Sequence, residues 1–359
     1  MMRAALALAR RSLGRTRPNP AVGCVIVREG RVIARGRTQD GGRPHAEADA
    51  IANAGESLKG ATAYVTLEPC AHHGRTPPCA EALIAAGIGR VVSAMEDPDP
   101  RVKGQGHARL AAAGVAVEVG EGAAEAAEIN AGFFLRTKEG RPLFHLKLAS
   151  SLDGRIATAT GESRWITGEA ARADGHRLRS THEAILIGAG TAAADDPELT
   201  CRLPGLARYS PDRIVLDSQA RLSATSKLAA SAPTIPVILF HAGAPAGRVE
   251  LLRHKGIDVI EARAHGEGRV DVATVARTLG ELGYSRVLIE GGGQIAAAFL
   301  RAGLVDRISS YRAGVVLGED GRSAVGPLAI DKLDFATRFS LVSARRVGGD
   351  TLETWHRRA

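Results

Sequence analysis

Three short pieces within the first eighty residues carry side chains able to do chemistry: His45-Ala46-Glu47, Glu68-Pro69-Cys70 and Pro77-Pro78-Cys79. One imidazole and two thiols are zinc-ligand types, and a zinc held by three such groups keeps its fourth position open for water. The metal lowers the pKa of that water, and Glu47, two residues past the histidine, can shuttle the proton. Together these residues form an apparatus for hydrolytic removal of an amino group from a nucleobase-like ring. A closed structural zinc would need a fourth protein ligand, for which His72 and His73 are available, but Glu47 at the deaminase spacing favours the open, catalytic site.

Zinc nucleobase deaminases read H-x-E followed by P-C-x-x-C. Here residues 71–78 separate the two cysteines, a run rich in polar groups able to hold a substrate. The segment from Thr66 to Cys79, Thr-Leu-Glu-Pro-Cys-Ala-His-His-Gly-Arg-Thr-Pro-Pro-Cys, closely resembles the deaminase half of the bifunctional riboflavin-biosynthesis deaminase/reductases. Pro18-Asn19-Pro20-Ala21-Val22-Gly23 resembles that family's opening motif. The resemblance implies that Asn19 hydrogen-bonds a pyrimidine and that Arg75 and Thr76 contact a ribose phosphate, with His72 and His73 lining the pocket or shaping the loop. Read without the family, an asparagine between prolines is also a good turn former. The chain departs from the family at Thr38, where a histidine usually stands seven residues before the zinc histidine; a hydroxyl can hydrogen-bond there but cannot carry charge.

A length of 359 residues suits two domains better than one. A hydrophobic content of 45% is that of an ordinary globular protein, and no apolar run approaches the ~20 residues that span a bilayer. The start, Met1 to Arg11, has too short an apolar run for a signal peptide, ends in arginines and has no small-residue cleavage site, so an amphipathic helix and a cytoplasmic location are expected. The net charge of +8 is carried mostly by arginine spread along the chain and not by a basic stripe; it favours anionic small substrates over nucleic acid. Four cysteines do not make a disulfide framework; Cys24 is expected in a buried strand and Cys201 packed near a site without reacting.

A helix over residues 3–13, a strand over Ala21 to Val27, a second over Arg31 to Arg35 joined to it by Glu29-Gly30 as a short hairpin, a helix from Ala46 to Ala54, a strand from Ala61 to Leu67 and a helix from Ala80 to Ala86 follow in order. Strands Arg90 to Glu96 and Val115 to Val119, with a crossover helix Gln105 to Ala113, complete a sheet expected to be central and largely parallel, with helices on both faces. His45 and Glu47 fall at a helix start, and both thiolates are expected near one, where the dipole favours deprotonated sulfur. A helix over 121–138 ends at Glu139-Gly140-Arg141-Pro142, the expected domain junction, giving domains 1–141 and 142–359.

The second domain opens on the apolar strand Leu143 to Ala149, in which Lys147 needs a partner or a ligand. Gly291-Gly292-Gly293 follows the strand Arg286 to Glu290 and opens an alanine-rich helix, as a phosphate site or a tight turn requires, but the spacing is not the Rossmann fingerprint. A C-terminal hairpin around Gly348-Gly349 is expected. Lys147, Ser151-Leu152-Asp153-Gly154, Trp165, Gly188-Ala189-Gly190-Thr191, Asp195-Asp196-Pro197 and Glu290-Gly291-Gly292-Gly293 resemble, in order, the reductase domain of the same family.

The resemblance implies an α/β protein with an N-terminal cytidine-deaminase-like three-layer domain and a C-terminal dihydrofolate-reductase-like domain that uses NADPH. By position it assigns NADPH contacts to Ala149, Trp165, Thr191, Asp195, Ser218, Gly292, Gly293, Gln294, Ile295, Ala296, Ala297 and Ala298. Substrate contacts fall on Ser163, Arg179, Leu199, Arg202 and Glu290. The expected function is zinc-dependent deamination of a phosphoribosylated diaminopyrimidinone followed by NADPH-dependent reduction of its ribose to a ribityl chain, in a dimer formed through the reductase domain. The alternatives are a tRNA or nucleoside deaminase with an accessory domain, and a non-enzymatic binding protein with a structural zinc.

Overall fold

The computed structural model describes residues 1–72, 77–100, 102–266 and 268–358. Its contacts divide the chain into two compact units, Met1–Gly140 and Arg141–Ala359.

In the first unit the elements run α1 (Met2–Arg10), β1 (Gly23–Arg28), β2 (Arg31–Arg37), α2 (Ala46–Ala52), β3 (Thr62–Val65), α3 (Cys79–Ala85), β4 (Arg90–Ser93), α4 (Gln105–Ala112), β5 (Ala116–Val119) and α5 (Ala123–Glu139). The strand order is β2-β1-β3-β4-β5. β1 is antiparallel to both β2 and β3, whereas β3, β4 and β5 are parallel, so the sheet is mixed and not the largely parallel one expected from the alternation of elements. The hairpin of β1 and β2 expected at Glu29-Gly30 is present, with both residues at positive φ, and β1 also pairs antiparallel with β3. β2 also runs two residues further than expected, to Arg37.

β1 is buried on both faces, and its alternate residues feed two different cores. Cys24 and Ile26 join Ala46, Ala50, Ala80, Leu83 and Leu110 under α2, α3 and α4. Val25 and Val27 join Met2, Leu6, Ala9, Ala126 and Ile129 under α1 and α5. The result is helix, sheet, helix. Gly36 lets α2 sit against β2, for a Cβ there would lie 2.2 Å from the Ala46 carbonyl oxygen. Asn130 of α5 is buried and pairs twice with the backbone of Ala21, accepting its N–H at 2.8 Å and donating to its carbonyl at 3.0 Å.

The second unit comprises β6 (Leu143–Ser150), β7 (Arg155–Ala157), α6 (Glu169–Arg179), β8 (Ala184–Gly188), α7 (Ala189–Asp195), β9 (Asp212–Leu216), α8 (Lys227–Ser231), β10 (Val237–His241), α9 (Ala246–His254), β11 (Asp258–Glu261), β12 (Ala264–His265), β13 (Arg269–Val270), α10 (Val272–Glu281), β14 (Arg286–Ile289), α11 (Gly293–Arg301), β15 (Val305–Arg312), β16 (Arg322–Ser323), β17 (Phe339–Val347) and β18 (Asp350–Arg357). Nine strands form one sheet in the order β11-β10-β9-β8-β14-β6-β15-β18-β17. It is parallel from β11 to β15, and the C-terminal hairpin β17–β18 adds antiparallel to β15. The central strands β8 and β10 are continuous apolar runs buried at every position, as double-sided burial demands, whereas β15 alternates buried and half-buried residues. Separate cores lie on the two faces, one around Phe144, Phe240 and Phe299 and the other around Ile185, Val215 and Leu239. Among the described residues, no helix is long and apolar enough to cross a membrane.

Candidate active sites

In the first unit His45 is the residue before α2, with extended backbone, and Glu47 lies buried in that helix's first turn. Cys79 opens α3 directly after Pro78, so its sulfur sits at the positive end of the helix. Cys70 lies in the loop after β3, and the fold brings its sulfur near a helix start. It reaches α3 through space, its Sγ accepting the Cys79 N–H at 3.3 Å while its carbonyl accepts the Ala80 N–H at 3.1 Å.

His45 Nδ1 lies 3.7 Å from Cys70 Sγ and 3.4 Å from Cys79 Sγ, and all three ligand atoms fall within 4.8 Å of one another. Ordinary Zn–S and Zn–N lengths at tetrahedral angles put neighbouring sulfur and nitrogen about 3.5 Å apart, so the donor set fits zinc in both chemistry and spacing. The Cys79 side chain, with help from His45 and the Cys79 N–H, holds the Cys70 thiol down to about 4, so one sulfur is already a thiolate. Cys79 keeps the proton the pair shares, and a bound dication would displace it. Burial, then the Cys70 charge, pushes Glu47 up to about 7, the value that suits a group taking and giving a proton near neutrality.

Glu68, the carboxylate inside Glu-Pro-Cys, has a different role. It is buried and accepts backbone N–H groups of Asp97 (3.0 Å), Gly104 (2.9 Å) and Gly106 (2.8 Å), filling the N-terminus of α4 and holding those three residues beside the cysteine loop. Gly106 allows this approach, because a Cβ there would lie 1.9 Å from the Pro69 carbonyl oxygen. The sequence singled out Glu68 within the cysteine motif but not this role for it, and Gly106 carried no signal.

Asn19 is half-buried and donates from Nδ2 to the Gly42 carbonyl at 2.9 Å, on the loop that leads into His45. Thr38 is buried and turned into the sheet: its Oγ1 accepts the Val22 N–H at 3.0 Å. Arg75, Thr76 and His73 lie outside the described residues. Cys24 is fully buried, and burial pushes its thiol well up.

In the second unit the expected contacts leave the carboxyl ends of four adjacent strands, β9, β8, β14 and β6, the edge at which open α/β sheets bind ligands. Ala149 lies near the end of β6. Thr191 and Asp195 lie on α7 after β8, and Ser218 follows β9. The Gly292 N–H donates to Thr191 Oγ1 at 3.1 Å, which joins the β8 and β14 loops. Gly293, Gln294, Ile295 and Ala298 lie along α11, but Ala296 and Ala297 are buried in the core, so a ligand there meets backbone and not those methyl groups. Trp165 is 68% exposed, with the Arg172 guanidinium 4.5 Å from its ring centroid. Ser218 is occupied on one side, its Oγ accepting the Val270 N–H at 3.0 Å. These residues, with two strand-to-helix turns closely apposed, are compatible with a nicotinamide dinucleotide laid along that edge.

Beside them, Arg179 grips Glu290 through two parallel hydrogen bonds, Nε–Oε1 at 2.8 Å and Nη2–Oε2 at 2.9 Å. Lys147 Nζ stands 3.8 Å from Glu290 Oε2, which answers the question its apolar strand posed. Burial alone would raise Glu290, but Arg179 and Lys147 win and hold it down to about 2. Ser163 is half-buried, and Arg202 is exposed, 3.5 Å from Glu198. Leu199 is buried in the core at φ +58°, so its side chain faces packing and not a ligand. Its loop is held from beneath by Arg213, a wholly buried guanidinium that donates to the carbonyls of Glu198, Ser231, Ile235 and Pro236.

The comparisons follow the same division. Residues 1–95 match the cytidine and deoxycytidylate deaminase zinc-binding region, and residues 142–352 match the RibD C-terminal domain. The chain is 42% identical over 360 residues to riboflavin biosynthesis protein RibD of Escherichia coli, covering 97% of this chain and 96% of that one. It is 38% identical to the protein of the same name from Aquifex aeolicus, covering 97% and 95%. Among solved structures it resembles Acinetobacter baumannii RibD (TM-score 0.88, 39% identity, 100% and 98% covered). It also resembles a diaminohydroxyphosphoribosylaminopyrimidine deaminase/5-amino-6-(5-phosphoribosylamino)uracil reductase of Thermotoga maritima (TM-score 0.86, 33% identity, 99% and 97% covered).

Proposed function

This chain belongs to the RibD family of bifunctional riboflavin-biosynthesis deaminase/reductases, and from that membership we propose how its own residues divide the work. Residues 1–141 deaminate 2,5-diamino-6-(5-phosphoribosylamino)pyrimidin-4-one, and residues 142–359 reduce the ribose of the product to a ribityl chain. The observation that carries the reading is the convergence of His45, Cys70 and Cys79 beside a buried carboxyl poised at about 7.

His45, Cys70 and Cys79 hold zinc, which when bound supplies Lewis acidity to a water at its open position. Glu47 takes the proton of the attacking water and returns it to the amino group that leaves as ammonia, so the ring gains a carbonyl and no proton is lost. Asn19 holds the pyrimidine, with Arg75 and Thr76 on the phosphoribosyl arm. In the second unit NADPH supplies the hydride. Ala149, Trp165, Thr191, Asp195, Ser218 and the segment Gly292 to Ala298 hold it, the helix start at Gly293 receiving a phosphate. Glu290, fixed as an anion, accepts sugar hydroxyls, and Arg179 orients it. Ser163, Leu199 (through its backbone) and Arg202 complete the substrate shell.

The protein acts in the cytoplasm on small anionic substrates. It pairs as a dimer through the second unit, a reading supported by the edge strand β17, where Leu341 and Val342 are 51% and 56% exposed. Supplying the diaminopyrimidinone while following ammonia and NADPH together tests the assignment: ammonia release should precede NADPH loss. Zinc removal should stop both reactions, and the deaminated pyrimidine should restore the second. NADPH consumption that starts without ammonia release would overturn the division.

A further inference from the structure

Helix α6 presents Arg179, but its sequence, Glu169 to Arg179, offers little to hold it in place. Its one large apolar side chain is Leu178, and only Ala171 and Gly175 are buried. A helix with so narrow an apolar face is not positioned by hydrophobic burial. Polar contacts must position it instead. Tyr311 and Arg345 each donate to Asp174 at 2.8 Å, and Arg179 Nη1 donates to the Thr200 carbonyl at 2.9 Å. A further set is buried and takes no part in the chemistry described above.

His182, just past α6, has Nδ1 2.8 Å from the Leu178 carbonyl oxygen. Its Nε2 is 3.2 Å from Nδ1 of His145 on β6, and His145 Nε2 is 2.9 Å from Ser309 Oγ on β15. A carbonyl can only accept, so His182 carries its proton on Nδ1. In a neutral ring its Nε2 then accepts from His145 Nδ1–H, and His145 Nε2 accepts from the Ser309 hydroxyl. One directed chain therefore runs from β15 through β6 to the carbonyl immediately before Arg179. All of its side chains are buried. Arg286, Arg307 and His356 face it, while Glu290 lies on the side of α6. Burial and those cations hold both imidazoles well down, His182 to about 3, so the chain stays in this one neutral form at physiological pH.

Two residues on one face of β6 thus converge on the same ion pair. Lys147 meets Glu290 directly, and His145 reaches the helix that presents Glu290's other partner. We propose that His145 and His182 are positioning residues of the reductase site, a buried hydrogen-bonded relay that sets the end of α6 and with it the Arg179–Glu290 pair. The inference rests on the reading that this pair binds the reductase substrate.

The test uses the full-length, zinc-loaded enzyme with 5-amino-6-(5-phosphoribosylamino)uracil and NADPH. His182→Asn keeps a donor where Nδ1 stood, next to the Leu178 carbonyl; His182→Gln keeps reach toward His145 but loses that donor. A relay that acts on α6 through both links makes H182Q, which breaks the link to Leu178, and H182N, which breaks the link to His145, each raise KM for the pyrimidine about 10-fold, the scale of one buried hydrogen bond. The kcat at saturation, the KM for NADPH and ammonia release by the other unit should stay within about 2-fold of the parent. A merely structural role lowers kcat in proportion to the folded fraction and leaves KM alone. That result, or equal KM values in the two variants and the parent, overturns the relay. Arg179→Lys in parallel separates the two claims. If R179K leaves KM unchanged, the site reading fails and the relay with it; if R179K raises KM while both His182 variants do not, the relay alone fails.

Discussion

The two units each bury a glutamate at the centre of their site and make opposite acids of them. At Glu47, burial and the Cys70 charge outweigh the nearby His45 and push the carboxyl up to about 7. Glu290 is as deeply enclosed, yet Arg179 and Lys147 pull it down to about 2. Burial beside a thiolate makes a carboxyl a proton carrier, while burial with two cations makes it a permanent anion. On the function proposed above, the first unit uses a group that changes charge during hydrolysis, and the second, with hydride supplied by a cofactor, uses a fixed acceptor for sugar hydroxyls.

The largest expected effect is on activity. Glu47→Gln removes the carrier without removing a ligand, and ammonia release should fall by about 10²- to 10⁴-fold while zinc content and NADPH oxidation with the deaminated pyrimidine supplied hold. Metal analysis and the two assays on one preparation check this; a variant that still released ammonia at the parent rate would end the assignment.

The reductase anion is exposed to a structural penalty that Glu47 escapes. Arg179→Met leaves Glu290 buried with only Lys147 near it, and the second unit should lose about 3–5 kcal/mol in urea unfolding, the cost of breaking a buried pair on one side. Glu47→Gln in the zinc-free protein should stabilise or leave unchanged the first unit. Equal losses in both variants would erase the distinction.

The pH dependence should run in opposite directions. Glu47 sits above its usual value, so the stability it contributes to the zinc-free protein is complete below about 4.5 and is lost as pH rises through about 7. Glu290 sits below its usual value, so its contribution is present above about 4.5 and is lost as pH falls through about 2. Each effect is on the order of 3 kcal/mol. Melting temperatures across pH, with E47Q and E290Q as references, should show one flattened on the neutral side and the other on the acid side.

The smallest effect concerns Thr38. Its hydroxyl is already engaged by the Val22 N–H, so Thr38→Ala should cost about 1–3 kcal/mol of stability and leave the KM for the pyrimidine unchanged. A raised KM would mean that the hydroxyl faces the substrate after all.

Much of the first site was legible in the order of residues. His45 and Glu47 share one helix start, and Cys79 opens another, so spacing and helix capping place them with little help from the rest of the chain. Cys70 follows a strand and meets the start of α3 only in space, through the Cys79 N–H, a contact nine positions away along the chain. The hairpin of β1 and β2 at Glu29-Gly30 was legible, but the sheet was read as largely parallel because strand and helix alternation does not reveal that β1 also pairs antiparallel with β3. The role of Glu68 was not legible because its partners are the backbone N–H groups of Asp97, Gly104 and Gly106, which no residue type announces.

Residue types, their spacing and the places where helices begin were enough to specify a zinc hydrolytic site, because its ligands are local and each is presented by a helix start or a short loop. They also specified that the second half is a different domain with glycine turns after strands. They could not show that Lys147, Arg179 and Glu290 meet. Those residues come together only because β14 inserts between β8 and β6 in the sheet and α6 returns across it, so that groups separated by 111 positions share two hydrogen bonds. The acidity of both glutamates was undecided for the same reason. A carboxyl's pKa follows from what surrounds it in space, and for Glu290 those neighbours are set by strand order and not by proximity along the chain.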